Sequence, residues 1–573
     1  HSGSSARSFP AWRRAVAALP SLSSRAPPTM RSGISAPLLL ALQAAVVTGA
    51  CTGRRHRATD CARQPYSSTT VESQEACCAL CASEDACSQW TYHALNRRCA
   101  RTNFSEALET GPAKLSSTCG LRAAPGPSPS PPSPGAGGRW AVIAVGSSGY
   151  INYRHQADAC HAYQILRKSG IPEDHIIFMM QDDAAGSSSN PFPGQLFNKP
   201  GDSPTDVYAG CKVDYRGDQV TAELFLNVIT GNEKKVPAGG KVLKSGKTDR
   251  VFLNFVDHGG VGIIAFPNGP VLHSSELSTA LKTMQEREMF SELVFYMEAC
   301  ESGSMFPDLT PDGKIFAVTA ANAKESSWGY YCAPGNDKVK GKSMDTCLGD
   351  LFSIAWMEDS DRGQLASESI KEQVAKVTAR TNKSHVCTFG DKSFEDETIG
   401  KFEGVAPRAG QAAAPAAQTE EDSAVDIRDI PLRLAYYAWE RSAPGRERER
   451  AWESLQTVVA ARKADAELFN GIADRVCQGA GYGCAYGLRH DRHDMRDVAC
   501  HRELARTVHE ACPVRGERGP GGWNAYNMQF SQVLVNLCEG KRALQRDTAA
   551  LQAIVRAECA AASRGAGAAE LVV

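Results

Sequence analysis

Two short apolar runs, each ending at a reactive side chain, constrain this chain more than any other feature. The first is Val251-Phe252-Leu253-Asn254-Phe255-Val256, followed at once by Asp257-His258-Gly259-Gly260. The second is Leu293-Val294-Phe295-Tyr296-Met297, followed by Glu298-Ala299-Cys300-Glu301-Ser302-Gly303. Runs this short and this rich in β-branched and aromatic residues read as buried strands. The carboxyl ends of strands in an open parallel sheet are where ligands bind. A His and a Cys on two such ends can form a thiolate–imidazolium pair, the activated nucleophile of a cysteine hydrolase. Taken singly, the Cys reads as a core residue or half a disulfide, and the His as structural. The small residues after each leave room for a substrate backbone and favour the catalytic reading.

The flanking sequence supplies the rest of the sheet. Trp140–Val145 is an apolar strand ending in Gly146-Ser147-Ser148-Gly149, and His155–Lys168 has helical periodicity. His175–Met180 is the next strand. Strands alternating with helices mean a parallel sheet flanked by helices, an α/β class. The glycine-rich loop lacks a dinucleotide or Walker pattern, so nucleotide binding is not supported.

These motifs carry a family resemblance. His258-Gly259 and Glu298-Ala299-Cys300-Glu301-Ser302-Gly303-Ser304 resemble the catalytic signatures of the legumain family of asparaginyl endopeptidases, also called vacuolar processing enzymes. The segments Gly149–Tyr163, Lys241–Gly246, Thr319–Asn322, Glu325–Trp328, Cys347–Asp350 and Trp356–Asp361 agree with it. The likeness is dense over 139–404 and weaker over 426–560. The Trp328 segment and the Cys332–Cys347 insertion look closer to the plant type than the animal type. The resemblance implies a caspase-like α/β sandwich and a cysteine endopeptidase that cuts after Asn.

By chemistry, Cys300 attacks the scissile carbonyl, and His258 promotes its ionisation or protonates the leaving amine. Backbone N–H groups near Gly259 and Cys300 are expected to form the oxyanion hole. The resemblance places Asn152 third, orienting the imidazole; on chemistry alone a capping Asn is an equal reading. An Asn side chain offers one acceptor oxygen and one two-proton donor, so its pocket needs a cation and an anion. The resemblance assigns Arg154 to the carbonyl and Glu298 and Asp350 to the amide N–H groups, with His155 and Ser327 as further wall residues. An Asp side chain fits such a pocket only when protonated, so Asp cleavage is expected at lower pH than Asn cleavage. Gly329, just after Trp328, resembles hydrolase-leaning members rather than peptide ligases; Gly260-Val261 fits neither pattern. No metal or cofactor is expected.

The chain has 573 residues, a formal net charge of −1 and 20 cysteines. No global field argues for nucleic acid, and the cysteine count implies an oxidising compartment. Residues 1–29 read as a leader, untranslated or disordered, before Met30. Residues 30–50 have the charged start, short apolar core and small residues of a secretory signal peptide. Residues 51–121 crowd Cys61, Cys77, Cys78, Cys81, Cys87, Cys99 and Cys119 together. A helix at Ser73–Cys81 and a strand at Cys87–Tyr92 resemble a disulfide-stapled PAN/apple-like module. Zinc is the rival reading of Cys78-x-x-Cys81, and the secretory context argues against it. Such a module points, by analogy, to a carbohydrate or protein ligand. Residues 122–138 are a Pro-rich linker.

The protease domain spans 139–404, a linker 405–425, and an all-helical unit 426–573. Leu432–Arg441 and Ala451–Ala464 have helical apolar spacing, and Cys477, Cys484, Cys500, Cys512 and Cys538 suggest disulfide ties. The resemblance makes this unit a prodomain that caps the site at neutral pH and is removed in acid. The linker holds no Asn, so self-cleavage must use Asp391, Asp396, Asp422 or another site, unless a second protease acts. Asn103 and Asn382 are glycosylation sequons. Arg216-Gly217-Asp218 reads as an ordinary turn. The expected partners are protein and peptide substrates and the chain's own prodomain, with no nucleic acid and no membrane span. The expected location is the secretory pathway, ending in a vacuole or lysosome, or outside the cell. Rival readings are a peptide ligase of the same family, a glycolipid-anchor transamidase, and an inactive protease displaying its apple-like module.

Overall fold

The computed structural model describes residues 137–405, 423–480, 482–513 and 521–566, together with five short strands between 56 and 121. The chain divides into two compact units, 1–128 and 129–573. In the first, β1 (His56–Arg57), β2 (Ser67–Thr70), β3 (Gln89–His93), β4 (Arg98–Thr102) and β5 (Ser117–Leu121) form an antiparallel sheet in the order β1-β5-β3-β4-β2. The strand read at Cys87–Tyr92 corresponds to β3. The leader, the signal segment, the helix at Ser73–Cys81 and Asn103 lie outside the described residues.

The second unit is built on seven strands: β6 (Arg139–Val145), β7 (Ile176–Met180), β8 (Tyr215–Arg216), β9 (Arg250–Val256), β13 (Glu292–Glu298), β14 (Ile315–Thr319) and β19 (Cys387–Gly390). Their order is β19-β14-β13-β9-β6-β7-β8. All neighbours are parallel except β14 and β19, which pair antiparallel. The sheet is therefore mixed at one edge, where the sequence led us to expect a parallel one. Gly390, in the left-handed region at φ 83, ends that edge strand.

Side chains alternate between two cores, as a sheet buried on both faces requires. Ala141, Ile143 and Val145 face one core with α1 (Tyr153–Lys168), α4 (Leu351–Ser360) and α5 (Ile370–Arg380). Val142 and Ala144 face the other, with α2 (Ala222–Ile229) and α3 (Ser274–Glu286). Trp356 of α4 is fully buried, edge-on to Phe252 and Tyr296. A short helix, α6 (Gly400–Glu403), places Phe402 in the first core.

Strand order reverses between β6 and β9: the chain runs outward to β7 and β8 on one side, then to β13 and β14 on the other. Val145, Val256 and Glu298 stand level across β6, β9 and β13. The segments after these three strands therefore converge on one crevice. Beside it, β10 (Gly259–Gly260), β11 (Ile263–Ile264) and β12 (Leu272–His273) form a small sheet. Next come β15 (Trp328–Cys332), a hairpin of β16 (Lys338–Val339) and β17 (Lys342–Ser343), and β18 (Cys347–Asp350). β15 and β18 pair antiparallel, with Cys332 and Cys347 opposite and disulfide-bonded. A further strand, β20 (Val425–Asp426), adds to the outer edge of β15.

The C-terminal helices are α7 (Ile430–Arg441), α8 (Arg446–Val476), α9 (Tyr482–His490), α10 (Val498–Ala511), α11 (Ser531–Gly540) and α12 (Thr548–Ala566). Disulfides Cys477–Cys484, Cys500–Cys538 and Cys512–Cys559 tie them. Cys559 is a partner that the sequence reading left out. Ile263, Ala265 and Val271 of the sheet after His258 belong to the same apolar core as these helices. Arg216 ends β8 and Gly217–Gln219 is a single 3-10 turn, with Arg216 paired to Asp182 at 3.1 Å.

Truncating Trp356 to Ala removes the centre of the first core and should cost about 3–5 kcal/mol. A drop in denaturant midpoint followed by near-ultraviolet circular dichroism checks it.

Candidate active site

α1 begins directly after Asn152. An Asn at this position ordinarily caps its own helix through its side-chain oxygen. Here it makes no capping bond. Its Oδ1 instead accepts from His258 Nε2 at 2.8 Å, while its Nδ2 donates to the Ser148 carbonyl at 2.9 Å. An amide oxygen can only accept, so Nε2 carries the hydrogen and Nδ1 keeps the lone pair. That Nδ1 is buried, with no hydrogen-bond partner among the described residues.

Cys300 follows β13, and Glu301 turns the chain sharply with a left-handed φ of 49°. Gly259 lies hard against this turn; a Cβ there would stand 2.3 Å from the Cys300 carbonyl oxygen. The Cys300 sulfur accepts from the Ser327 backbone N–H at 3.3 Å and lies 3.7 Å from the Ser327 hydroxyl. It is not hydrogen-bonded to His258. Burial pushes the Cys300 thiol up to about 12, against the pull of Arg428. Burial, reinforced by Arg154, holds His258 well below its ordinary range. Both shifts favour a neutral thiol and a neutral imidazole, in this buried arrangement, over the thiolate–imidazolium pair that the sequence allows. Thiol and imidazole are both neutral because both are cut off from water.

A second cluster lies beside the first. Arg154 is buried, with Nε donating to Asp350 Oδ1 at 2.9 Å and Nη1 to the Ile151 carbonyl at 3.2 Å. Asp350 ends β18 and sits at the N-cap of α4, yet its side chain does not cap that helix. Glu298 does so from across the sheet, its Oε2 accepting from the Ser353 N–H at 2.9 Å and the Ser353 hydroxyl at 3.0 Å. Three buried atoms are left without hydrogen-bond partners among the described residues: Arg154 Nη2, Glu298 Oε1 and Asp350 Oδ2. That is one donor and two acceptors.

His155 stands between the clusters. Its ring meets that of His258 edge-on at 4.9 Å, and its Nδ1 lies 2.6 Å from the Ser147 hydroxyl. Its Nε2 lies 3.5 Å from Asp350 Oδ2. His155, Asp257 and His258 bring possible metal-ligand atoms within 4.8 Å of one another. The charge of Arg154 acts on all three and opposes a dication there.

The sequence reading passed over Asp158, Ser353, Ile427 and Arg428. Asp158 carried a signal, standing four residues after Arg154 on one helix face. The others carried none, because their partners are distant in sequence. Val425 and Asp426 pair with Gly329 and Trp328, and the Ile427 N–H donates to the Ser327 carbonyl at 3.2 Å. Ile427 is fully buried in an apolar cluster with Cys300. Arg428 binds Glu301, donates to the Ser326 hydroxyl at 2.7 Å, and reaches the Gly259 carbonyl at 3.4 Å.

A thiol at about 12 has a thiolate fraction near neutrality roughly a thousandfold below that of a free cysteine. Cys300 of the intact chain should therefore resist iodoacetamide at pH 7.5. Peptide mapping checks this; prompt labelling of Cys300 would contradict it.

The Peptidase C13 family model matches residues 139–405. Vacuolar-processing enzyme beta-isozyme 1 of Oryza sativa subsp. japonica is 42% identical over 419 residues, 70% of this chain and 81% of that protein. Legumain of Mus musculus is 38% identical over 418 residues, 72% of this chain and 91% of that protein. Among solved structures, caspase-1 of Spodoptera frugiperda overlaps 45% of this chain and 87% of its own, with 9% identity and a TM-score of 0.26. The architecture rests on the sheet order above, not on that overlap. On sequence identity across this span, the chain belongs to the peptidase C13 family and is a cysteine-type endopeptidase.

Proposed function

We propose that this chain is an asparaginyl endopeptidase made as a zymogen. The observation that carries the specificity is the set of three unpartnered atoms beside the dyad. An Asn side chain complements it: the amide oxygen accepts from Arg154, and the two amide hydrogens go to Glu298 and Asp350. An ionised Asp side chain would bring a fourth carboxyl to a cluster of Asp158, Glu298 and Asp350. Burial already drives each of these three upward. Asp therefore enters only when protonated.

In the reaction, His258 Nδ1 takes the thiol proton, and the Cys300 sulfur attacks the scissile carbonyl, that of the substrate Asn itself. The leaving amine receives that proton, and water then cleaves the thioester. Backbone N–H groups near Gly259 and Cys300 would hold the oxyanion. Asn152 keeps the imidazole in the tautomer this sequence needs. Gly329 favours water over an incoming amine as acceptor, leaving ligation as a minor activity.

The zymogen reading rests on residues 425–428. An extended substrate adds to a sheet edge as a strand, and the edge of β15 beside Cys300 carries this segment. Ile427, at the position level with Ser327, offers no polar group to the three unpartnered atoms. Of the candidate activation sites, Asp391 is buried and accepts from the Ser393 and Lys314 N–H groups, whereas Asp396 is exposed. Asp422 lies outside the described residues. Asn382 is exposed, as a glycosylated Asn must be. These features, with the oxidised cysteines, fit passage through the secretory pathway to an acidic vacuole or lysosome. No helix among the described residues is long and apolar enough to cross a membrane.

Shifting the full chain from pH 7 to 4.5 should shorten it and release Asn-selective cleavage of fluorogenic peptides, with Asp peptides cut only toward the acid end. Cys300→Ala should abolish both. Equal cleavage of Asn and Asp peptides at pH 6.5 would reject the pocket assignment.

Acid acts on a specific contact. His273 of β12 and His501 of α10 meet Nε2 to Nδ1 at 2.9 Å, both buried. Around them stand Arg502, Arg506 and Glu276, with Arg506 reaching Glu276 at 3.7 Å. Burial lowers His501 to about 4; burial and then His501 lower His273 to about 2. Lowered histidines favour docking while neutral. Their contribution is complete above the undocked value near 6.5 and is lost as pH falls toward the docked values. At pH 4.5 each accounts for roughly 2.5 kcal/mol against docking. The double variant His273→Gln, His501→Gln should release the helical unit only at lower pH, as read by activity against pH. An unshifted release profile would remove this pair from the mechanism.

A further inference from the structure

We infer that Asp158 is a positioning residue for the pocket that reads the substrate amide, holding the Asp350 carboxylate in place against Arg154. The inference deepens the pocket assignment proposed above and rests on it.

Asp158 lies one turn after Arg154 on α1 and is 1% exposed. Its Oδ2 accepts from the Asp350 backbone N–H at 3.0 Å. Its Oδ1 accepts from Asn198 Nδ2 at 2.7 Å, and the same Nδ2 donates to the Leu348 carbonyl at 2.9 Å. Residues 348 and 350 of β18 are thus both held from this one carboxyl group. Residue 349 between them has to be glycine: a Cβ there would stand 2.8 Å from Asp158 Oδ1 and 2.6 Å from Ile354 Cγ1.

The need for such a clamp follows from helix capping. An Asp at an N-cap ordinarily turns its carboxylate onto its own helix. At α4 that place is taken by Glu298 through Ser353. Asp350 is thereby free to face Arg154, and its backbone must be fixed from outside the helix for it to stay there. Asp158 supplies that fixing.

A neutral acceptor such as Asn would satisfy the Asp350 N–H without adding a third acid beside Glu298 and Asp350. An acid does more. Burial and the Asp350 charge push Asp158 well above the carboxylate range, so it holds a proton. A carboxylic acid can accept from the backbone N–H and still hold a hydrogen to offer the Asp350 carboxylate beside it. An amide cannot do both at one atom. Asn198 is held in turn by His161, 2.7 Å from its Oδ1, and His161 by Asp361 at 2.8 Å. The clamp is therefore anchored as far as the half-exposed Asp361.

The test uses the full chain after acid activation, with Asn and Asp fluorogenic peptides across pH. Asp158→Ala should raise KM for the Asn peptide about tenfold or more. It should also narrow the preference for Asn over Asp, with kcat and Cys300 alkylation near wild type. A merely structural role would instead lower kcat and alter alkylation together. In the wild type KM should rise on the alkaline side as Asp158 loses its proton; Asp158→Asn has no proton to lose and should show no such rise. Wild-type KM and wild-type selectivity in Asp158→Ala would overturn the inference, as would a loss confined to kcat. Should that variant fail to accumulate, Asn198→Ala decides, with a smaller KM rise expected and an unchanged KM overturning. A wild-type enzyme with no preference for Asn would overturn the pocket assignment itself, a separate outcome.

Discussion

A single guanidinium buried among acids organises this active site. Arg154 is 1% exposed, and a charge so far from water is tolerated only where opposite charge and hydrogen bonds replace its hydration. Asp350 supplies the charge at 2.9 Å and the Ile151 carbonyl a further acceptor. Asp158 and Glu298 crowd the same space, and with one cation among three acids the cluster keeps protons that isolated carboxyls would lose. Arg154 also reaches the dyad electrostatically, helping to hold His258 neutral. Moving this one side chain would disturb the pocket, the imidazole and the start of α1 together.

Helix ends are where the fold and the chemistry meet. Asn152 and Asp350 both occupy N-cap positions, and neither caps its helix. Each residue has been diverted from local stability to a long-range contact, worth about 1 kcal/mol of capping apiece. At α4 the loss is offset from another strand, by Glu298. This exchange couples three segments separated by up to 200 residues of chain. It gives a reason for the close approach of backbone at Gly349, where any larger residue would push the clamp apart.

The dyad and the strap across it are the basis of the zymogen proposal. Residues 425–428 shut out the water that would support a thiolate, so Cys300 is raised and His258 lowered by the same burial. In the proposed zymogen, dormancy would be a matter of solvation more than of misplacement, since the Asn152 contact already leaves His258 Nδ1 with its lone pair. The helical unit holds the strap's surroundings through the apolar core it shares with the small sheet after His258. The buried His273–His501 contact is where the proposed acid sensitivity of that docking would lie.

The sequence by itself determined the sheet strands, the helices between them and the chemistry at the strand ends. Val251–Val256 and Leu293–Met297 could be little else than buried strands, and His258 and Cys300 were legible at their ends, whereas Arg154, Glu298 and Asp350 were assigned only through the family resemblance. Local periodicity and residue type carry that information because strands and helices are short-range patterns. Only the tertiary structure decided the antiparallel edge at β19, the pairing of Cys512 with Cys559, and the strap laid along β15. It alone showed that the dyad is neutral, since desolvation depends on what covers a group rather than on its neighbours in the chain. Ser353 stayed hidden for the same reason, and the spacing of Asp158 from Arg154 put the two on one helix face without revealing what Asp158 holds. Their roles lie in atoms brought together by register and close packing, which no spacing along the sequence records.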